Sequence, residues 1–140
     1  MFRIDENTKQ IQLTRGDVAP ITIFAKNKDN TDYEFKKGDI VRFKIYERSN
    51  CNNVVLQKDI EVKVASTKVD MKLTKEETKI GDLINEDVDY WYEVKLNPET
   101  NPKTIIGYEM FPGTNKAWEK IFKLLPEGSD KKWYKQRKYW

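Results

Sequence analysis

The sequence predicts an all-β fold, an antiparallel β-sandwich of about seven to nine strands with one short helical turn. Three observations predict it. Apolar and polar residues alternate along many short stretches, turn residues separate these stretches, and helical periodicity is scarce. The 140 residues suffice for one domain with its own core. We assign the sandwich to residues 1–128 and a separate basic, aromatic C-terminal arm to residues 129–140.

The clearest strand is the stretch "DIVRFKIYE". Val41, Phe43 and Ile45 point to one face of the strand, and the intervening residues Arg42 and Lys44 point to the other, as in a half-buried strand. We expect the first face to meet the core and the second to meet water. Similar patterns predict further strands at residues 11–13, 21–25, 54–57, 62–64, 69–73, 90–96, 104–108 and 121–125.

The helical turn is predicted at "LTKEETKIGD". Thr74 and Glu77 have the spacing of a capping box, and Gly81 is placed to end the turn. In immunoglobulin-like sandwiches such a turn commonly precedes a strand that carries a tyrosine, and "VDYWYEVKL" follows here. Tyr90 is therefore a candidate for a tyrosine corner, with simple packing on the sheet as the alternative.

Two stretches, "TRGDVAPITIF" and "KKGDIVRFKIY", share one pattern: a basic residue, Gly-Asp, an aliphatic residue and an alternating strand. Glycine supplies a positive φ and the aspartate can bond local amides, so Gly16-Asp17 and Gly38-Asp39 are predicted to be turns that start strands. The tripeptide that begins at Arg15 would then be part of a turn, and an integrin ligand is the alternative. In a simple turn, we expect Arg15 to be replaceable by alanine at little cost in stability.

The composition limits the chemistry that the chain can perform. Histidine is absent and Cys51 is the only cysteine, which excludes the usual catalytic triad and an internal disulfide. The acidic clusters at residues 76–77 and 86–89 lie in predicted turns or loops and lack the facing arrangement of a glycosidase or the spacing of an EF-hand. We therefore predict a protein that is not an enzyme and uses no cofactor or metal. No signal peptide or apolar span of membrane length occurs in the sequence, and no membrane partner is expected.

The four tryptophans raise a second hypothesis, because aromatic rings can stack on sugars. Trp91 alternates out of phase with Tyr90 and Tyr92, which places it on the outer face of its strand, and Trp118 lies in a late loop. Either is a possible surface aromatic. A sugar platform, a protein contact and cover by a neighbouring loop all remain open for them.

The C-terminal stretch "KKWYKQRKYW" combines five basic residues with four aromatic ones and follows the break "PEGSD". Aromatics supply contact area and cations supply orientation, so the arm is expected to bind a neighbouring subunit. Packing on its own sandwich and binding nucleic acid are the alternatives, and the slightly acidic remainder of the chain argues against nucleic acid. The candidate partner-binding residues are Trp133, Tyr134, Lys135, Arg137, Tyr139 and Trp140.

The order "IQLTRGDVAPITI", "YEFKKGDIVRFKIY" and "VDYWYEVKL" resembles the immunoglobulin-like N-terminal module of phage baseplate upper proteins and related tail proteins of Gram-positive phages. The resemblance covers roughly residues 8–108 and rests on turn placement and strand order. It implies an immunoglobulin-like fold and a structural component of a virion or prophage-encoded particle, made in the bacterial cytoplasm. Other virion or tail proteins would be its partners, in a homo- or hetero-oligomer. A carbohydrate-binding β-sandwich that uses exposed tryptophans is the alternative, with a glycan as the ligand.

Overall fold

The computed structural model describes residues 2–4, 9–27, 29–50, 52–81, 86–106, 109–110, 117–118 and 120–127. These residues contain eleven β-strands and no helix, so the prediction of an all-β fold is confirmed. Two of the strands, β9 and β10, are only two residues long. The strands are β1 (Phe2–Ile4), β2 (Ile11–Thr14), β3 (Ala19–Ile23), β4 (Ile40–Glu47), β5 (Val54–Glu61), β6 (Val69–Leu73), β7 (Val88–Leu96), β8 (Lys103–Ile106), β9 (Glu109–Met110), β10 (Ala117–Trp118) and β11 (Ile121–Leu125).

The strands form a large sheet and a small sheet that share one core. The seven-stranded sheet has the order β1-β2-β11-β7-β4-β5, with β8 also paired to β7, while β3 and β6 form the two-stranded sheet. The expectation of a purely antiparallel fold is not met, because β11 runs parallel to β2. Parallel pairing needs a long connection between the two strands, and almost the whole chain separates β2 from β11. The large sheet is therefore mixed.

One edge of β7 is shared by two strands. The pairs Val94↔Ile106 and Leu96↔Lys103 join β8 to the end of β7, whereas Ile121↔Trp91 belongs to the pairing of β11 with its beginning. Both pairings are antiparallel, so β8 and β11 follow each other along the same edge. The β9–β10 hairpin lies between them in sequence. It is an insertion into what would otherwise be a single long strand.

The core lies between the inner face of the large sheet and the small sheet. Val41, Phe43 and Ile45 are each 0% exposed, which confirms the face that the alternation predicted for β4. The inward side chains of the small sheet belong to the same cluster: Ala19, Ile21, Ile23, Val69, Met71 and Leu73. The alternation of side chains along each strand therefore brings the apolar faces of the two sheets together.

The predicted strand at residues 62–64 is only partly correct. Val62 is buried, but β5 ends before it, and Val64 is 78% exposed. The amide of Val62 donates to the carbonyl of Asp39, and the amide of Gly38 donates to the carbonyl of Val62. These bonds hold Val62 beside the start of β4, after which the chain leaves the sheet and Val64 has no core to enter.

The predicted capping box is present after β6. The amide of Thr74 donates to Glu77 Oε1 at 2.9 Å, and the amide of Glu77 donates to Thr74 Oγ1 at 3.2 Å. One α-type bond, from the amide of Thr78 to the carbonyl of Thr74, completes a single helical turn. Lys58 of β5 reaches this turn and donates to Glu77 Oε1 at 2.8 Å. The turn therefore connects the small sheet to the large one.

Candidate docking surfaces

The Gly16-Asp17 turn joins β2 to β3. The amide of Asp17 donates to the carbonyl of Thr14 at 3.0 Å, and Gly16 has φ +89°. A bond from the fourth residue to the first, with a positive φ at the third, is the arrangement of a type II turn and favours glycine. The turn predicted at this position is confirmed.

The side chain of Arg15 points back onto the protein. Its guanidinium donates to the carbonyls of Ile80 and Gly81 at 3.2 and 2.8 Å and pairs with Glu127 at 2.6 Å. Only 11% of the side chain is exposed. Because three contacts hold the guanidinium, we now expect Arg15→Ala to cost stability, in place of the small effect expected for a simple turn residue. An integrin ligand would need this group at the tip of an exposed loop.

The Gly38-Asp39 turn repeats the same geometry before β4. The amide of Asp39 donates to the carbonyl of Lys36 at 3.0 Å, and Gly38 has φ +94°. The Asp39 carboxylate accepts hydrogen bonds from the Lys36 amide, the Tyr33 hydroxyl and the Asn97 side chain, at 2.9, 3.0 and 3.2 Å. Both Gly-Asp pairs that the sequence pattern identified are thus turns with a positive-φ glycine, and both precede a strand.

Asp39 fixes the end of β7 as well as the start of β4. Asn97, which follows β7, accepts a bond from the Ile40 amide through Oδ1 and donates its own amide to the Ile40 carbonyl. Burial alone would raise the pKa of Asp39, but the bonds from the Lys36 amide, Asn97 and Tyr33 outweigh it, and the pKa lies below its usual value. The carboxylate is a structural anion in this turn.

Trp91 lies on the outer face of β7, as predicted, opposite Tyr46 of β4. The two rings meet edge to face, with centroids 5.9 Å apart and planes at 84°. Trp91 is half-buried and Tyr46 is only 8% exposed. The outer face of the sheet therefore carries a packed aromatic pair here, and the Trp91 ring is not a fully open platform.

Ion pairs also lie on this outer face. Arg42 makes two bonds to Asp59, of 2.9 and 3.1 Å, and a third to Glu99 of 2.8 Å. Lys44 pairs with Glu93 across β4 and β7 at 3.4 Å. Cross-strand pairs of opposite charge each stabilise a sheet by a few tenths of a kcal/mol up to about 1 kcal/mol.

A cleft of about 740 Å³ opens on the opposite side of the large sheet, beside β3 and β8. Its floor contains Phe43, Tyr92, Val94 and Leu96, and its walls include residues 21–27 and 103–106 without a gap. We call it the edge cleft. A volume of this size lies within the usual range of binding pockets. The sequence pattern does not reveal this cleft. Alternation identifies the side chains that face inward, but it gives no information on how the second sheet is placed over them.

The tyrosine whose hydroxyl returns to the backbone is Tyr92. It donates a hydrogen bond to the carbonyl of Lys9, which lies before β2. The hydroxyl of Tyr90, the residue that the sequence favoured, instead lies near Gly81, where an added Cβ would be 3.8 Å from it. Tyr92 holds Lys9 at the edge cleft, which both residues line.

Several predicted site residues lie outside the part of the chain that can be described. The whole arm is among them, including Trp133, Tyr134, Lys135, Arg137, Tyr139 and Trp140, and so is the side chain of Trp118. The backbone of Trp118 lies in β10 and not in the predicted loop. In the described ranges, no acidic or cysteine side chains gather in threes to form a metal site. No helix in those ranges has the length and apolar character needed to cross a membrane.

None of the family models, curated proteins or solved structures with which the chain was compared matches it.

Proposed function

We propose that this chain is a non-enzymatic structural protein of a phage tail, baseplate or related particle, and that it acts by docking to other proteins of that particle. The observation that carries the proposal is the repeated turn geometry. Gly16-Asp17 and Gly38-Asp39 form the same positive-φ turn before β3 and before β4. Turn placement and strand order are the features on which the resemblance to baseplate upper proteins rests.

The use of the charged side chains supports the same proposal. The guanidinium of Arg15 is held by backbone carbonyls and Glu127, the carboxylate of Asp39 accepts three bonds within its own turn, and the guanidinium of Arg42 binds two carboxylates. These groups stabilise the sandwich. A scaffold of this kind presents surfaces to other proteins, and the arm at residues 129–140 adds a basic, aromatic segment.

The test is incorporation into a particle. A strain that carries the gene is given a small epitope tag on this protein, lysis is induced, and particles are separated from free protein by density gradient. We expect the tag in fractions that contain tails or baseplates, in a fixed ratio to other particle proteins. Tag that remains entirely with free protein, while particles form, would contradict the proposal.

A carbohydrate-binding module remains the second candidate, because Trp91 lies on an outer sheet face. Its edge-to-face contact with Tyr46 leaves only part of the ring for a sugar. A glycan array with the isolated protein separates the two functions: saturable binding that Trp91→Ala abolishes would favour the module.

A further inference from the structure

We propose that the edge cleft receives an extended segment of a partner protein, which adds as a strand to the free edge of β3. The segment would place apolar side chains in the cleft and acidic side chains beside the lysines at its rim. This inference rests on the proposed function, since it specifies how docking to another protein of the particle takes place.

The shape of the cleft indicates a strand edge. The last three residues of β3, Ile21, Thr22 and Ile23, all line it, although alternate side chains of a strand point to opposite faces. The same holds for residues 103–106 of β8. A cavity that contacts every successive residue of a strand runs along the edge of that strand. Within the described part of the chain, β3 pairs only with β6 and β8 only with β7, so two unpaired edges flank the cleft.

The direction of the backbone groups at β3 follows from two independent observations. Proline has no N–H and is tolerated where no ladder bond is needed. Pro20 therefore indicates that the backbone N–H and C=O groups of the even-numbered residues of β3 face away from β6. Ala25, an odd-numbered residue, accepts a bond from the amide of Tyr33 through its carbonyl. Odd residues thus bond within the protein, and the N–H and C=O of Thr22 and Phe24 point towards the cleft. These are the groups that an added strand would bind.

The apolar character of the cleft matches alternate side chains of such a strand. Its floor consists of inner-face residues of β4 and β7 that are themselves buried, among them Phe43 and Val94. The apolar surface open to a partner lies at its border, where Phe24 is 57% and Ile4 36% exposed. A lipid chain would fill the apolar floor but would leave the backbone edge of β3 without partners. An extended polypeptide satisfies both features.

The charge of the rim selects the kind of segment. Three of the lining residues are lysines, Lys9, Lys26 and Lys103, and the described lining contains no aspartate or glutamate. Lys26 pairs with Asp32, whereas Lys9 and Lys103 form no ion pair within the described residues. Their positive charge favours an acidic segment. It also disfavours the protein's own arm, whose ten final residues carry five cations and no anion.

The experiment is a selection of displayed random peptides of about nine residues on the folded protein. We expect enrichment of peptides in which apolar residues alternate and acidic residues occupy positions between them. A selected peptide is then synthesised, and its affinity is measured beside a copy with lysine for each acidic residue and a copy with N-methylated backbone. Both copies should bind at least about tenfold more weakly.

Variants of β3 and β8 test where the selected peptide binds. Thr22→Pro removes the N–H that faces the cleft and should abolish binding of the selected peptide. Asp70→Ala is the matched control, because it also removes the bond between the Thr22 hydroxyl and Asp70 but leaves β3 unchanged, and it should bind normally. Lys103→Glu should weaken binding about tenfold and reduce its salt dependence.

A measurement on the unmodified protein covers the case in which Thr22→Pro does not fold. Bound peptide should slow hydrogen exchange at the amides of Thr22 and Phe24. Each of four results would overturn the inference. The selection does not enrich alternating acidic peptides, or a folded Thr22→Pro variant binds the selected peptide normally. Exchange at these two amides is unchanged, or decanoate alone displaces the peptide from the cleft. Incorporation into particles is read out separately, so either proposal can fail without the other.

Discussion

The guanidinium of Arg15 pairs with the carboxylate of Glu127 at 2.6 Å, which joins the end of β2 to the residues just after β11. The same guanidinium binds the carbonyls of Ile80 and Gly81, and the amide of Arg15 donates to the carbonyl of Leu125. One residue therefore connects three segments that are distant in sequence. A tripeptide that resembles an adhesion signal is used here to close one end of the sandwich.

Arg15→Ala should lower the free energy of unfolding by about 1–3 kcal/mol, mainly through the two carbonyls that lose their charged donor. The ion pair itself contributes little, since 42% of the Glu127 side chain is exposed. Urea unfolding checks this, with Arg3→Ala on an exposed residue as the control. A loss below about 0.5 kcal/mol for Arg15→Ala would show that the contacts are not maintained in solution.

Gly38→Ala should destabilise the protein by about 1–2 kcal/mol, because the residue has φ +94° and L-residues with a Cβ are strained there. Apart from Gly38 and its two chain neighbours, no atom lies within 4 Å of the added Cβ, so the effect isolates backbone strain from packing. Gly38→Asn is the matched comparison, since asparagine tolerates the left-handed region, and it should cost less. Equal losses for alanine and asparagine in thermal unfolding would contradict this explanation.

Acid should remove the contribution of Asp39. Its pKa is lower in the folded chain than in the unfolded one, so the folded state binds fewer protons, and the stabilisation is complete above about pH 4. It is lost as the pH falls through the lower, folded value. Glu77 acts in the same direction, because the bonds from Lys58 and Thr74 overcome the effect of burial and lower its pKa.

In urea titrations at several pH values, Asp39→Asn should therefore reduce stability at pH 7 and flatten the decline below about pH 4. Part of the decline should remain, owing to Glu77. Glu34→Gln, which changes an exposed carboxylate, serves as the control. If the Asp39→Asn protein and the original lose the same free energy of unfolding as the pH falls below about 4, Asp39 is excluded as a source of the pH dependence.

The face of β4 could be predicted from sequence because period two is a local property, and Val41, Phe43 and Ile45 needed no information about their partners. The Gly-Asp turns were equally local. The contacts of Arg15 with Ile80 and Gly81 join residues about 65 positions apart, and the spacing of residues around Arg15 contains no trace of them. Local patterns thus locate turns and faces, but not the side chains that connect distant turns.

The parallel pairing of β2 with β11 and the shared edge of β7 depend on topology in the same way. The edge cleft arises from that topology, because the small sheet has only two strands and β3 does not pair with β8 in the described part of the chain. Pro20 was the available signal, since a proline within an alternating stretch indicates an edge strand. The sequence predicted which face of β7 carries Trp91. Its half-burial against Tyr46 could not be predicted, because it depends on the register between β7 and β4.

Phe43→Ala should cost about 3–5 kcal/mol, because Phe43 is 0% exposed and its ring stacks on Tyr92 with centroids 5.6 Å apart. Lys44→Ala, one residue along on the outer face, should change stability by about 1 kcal/mol or less, the most that its pair with Glu93 contributes. Chemical denaturation of both variants measures the difference between the faces. Comparable losses for the two would mean that β4 does not separate core from solvent as the structure has it.

Removal of the arm should separate folding from assembly. The final register pair of β11 is Leu125↔Thr14, and Glu127 forms the last described contact, with Arg15, so every described strand and its core residues lie before residue 128. A chain that ends at Ser129 should unfold at nearly the same temperature as the full protein. The aromatics and cations of residues 130–140 offer contact area and orientation towards an acidic neighbour, so the shortened chain should fail to enter particles or oligomers. Thermal unfolding and gradient sedimentation measure the two effects.

A shortened chain that unfolds would show that the arm completes the core, and one that assembles normally would place the interface elsewhere on the sandwich.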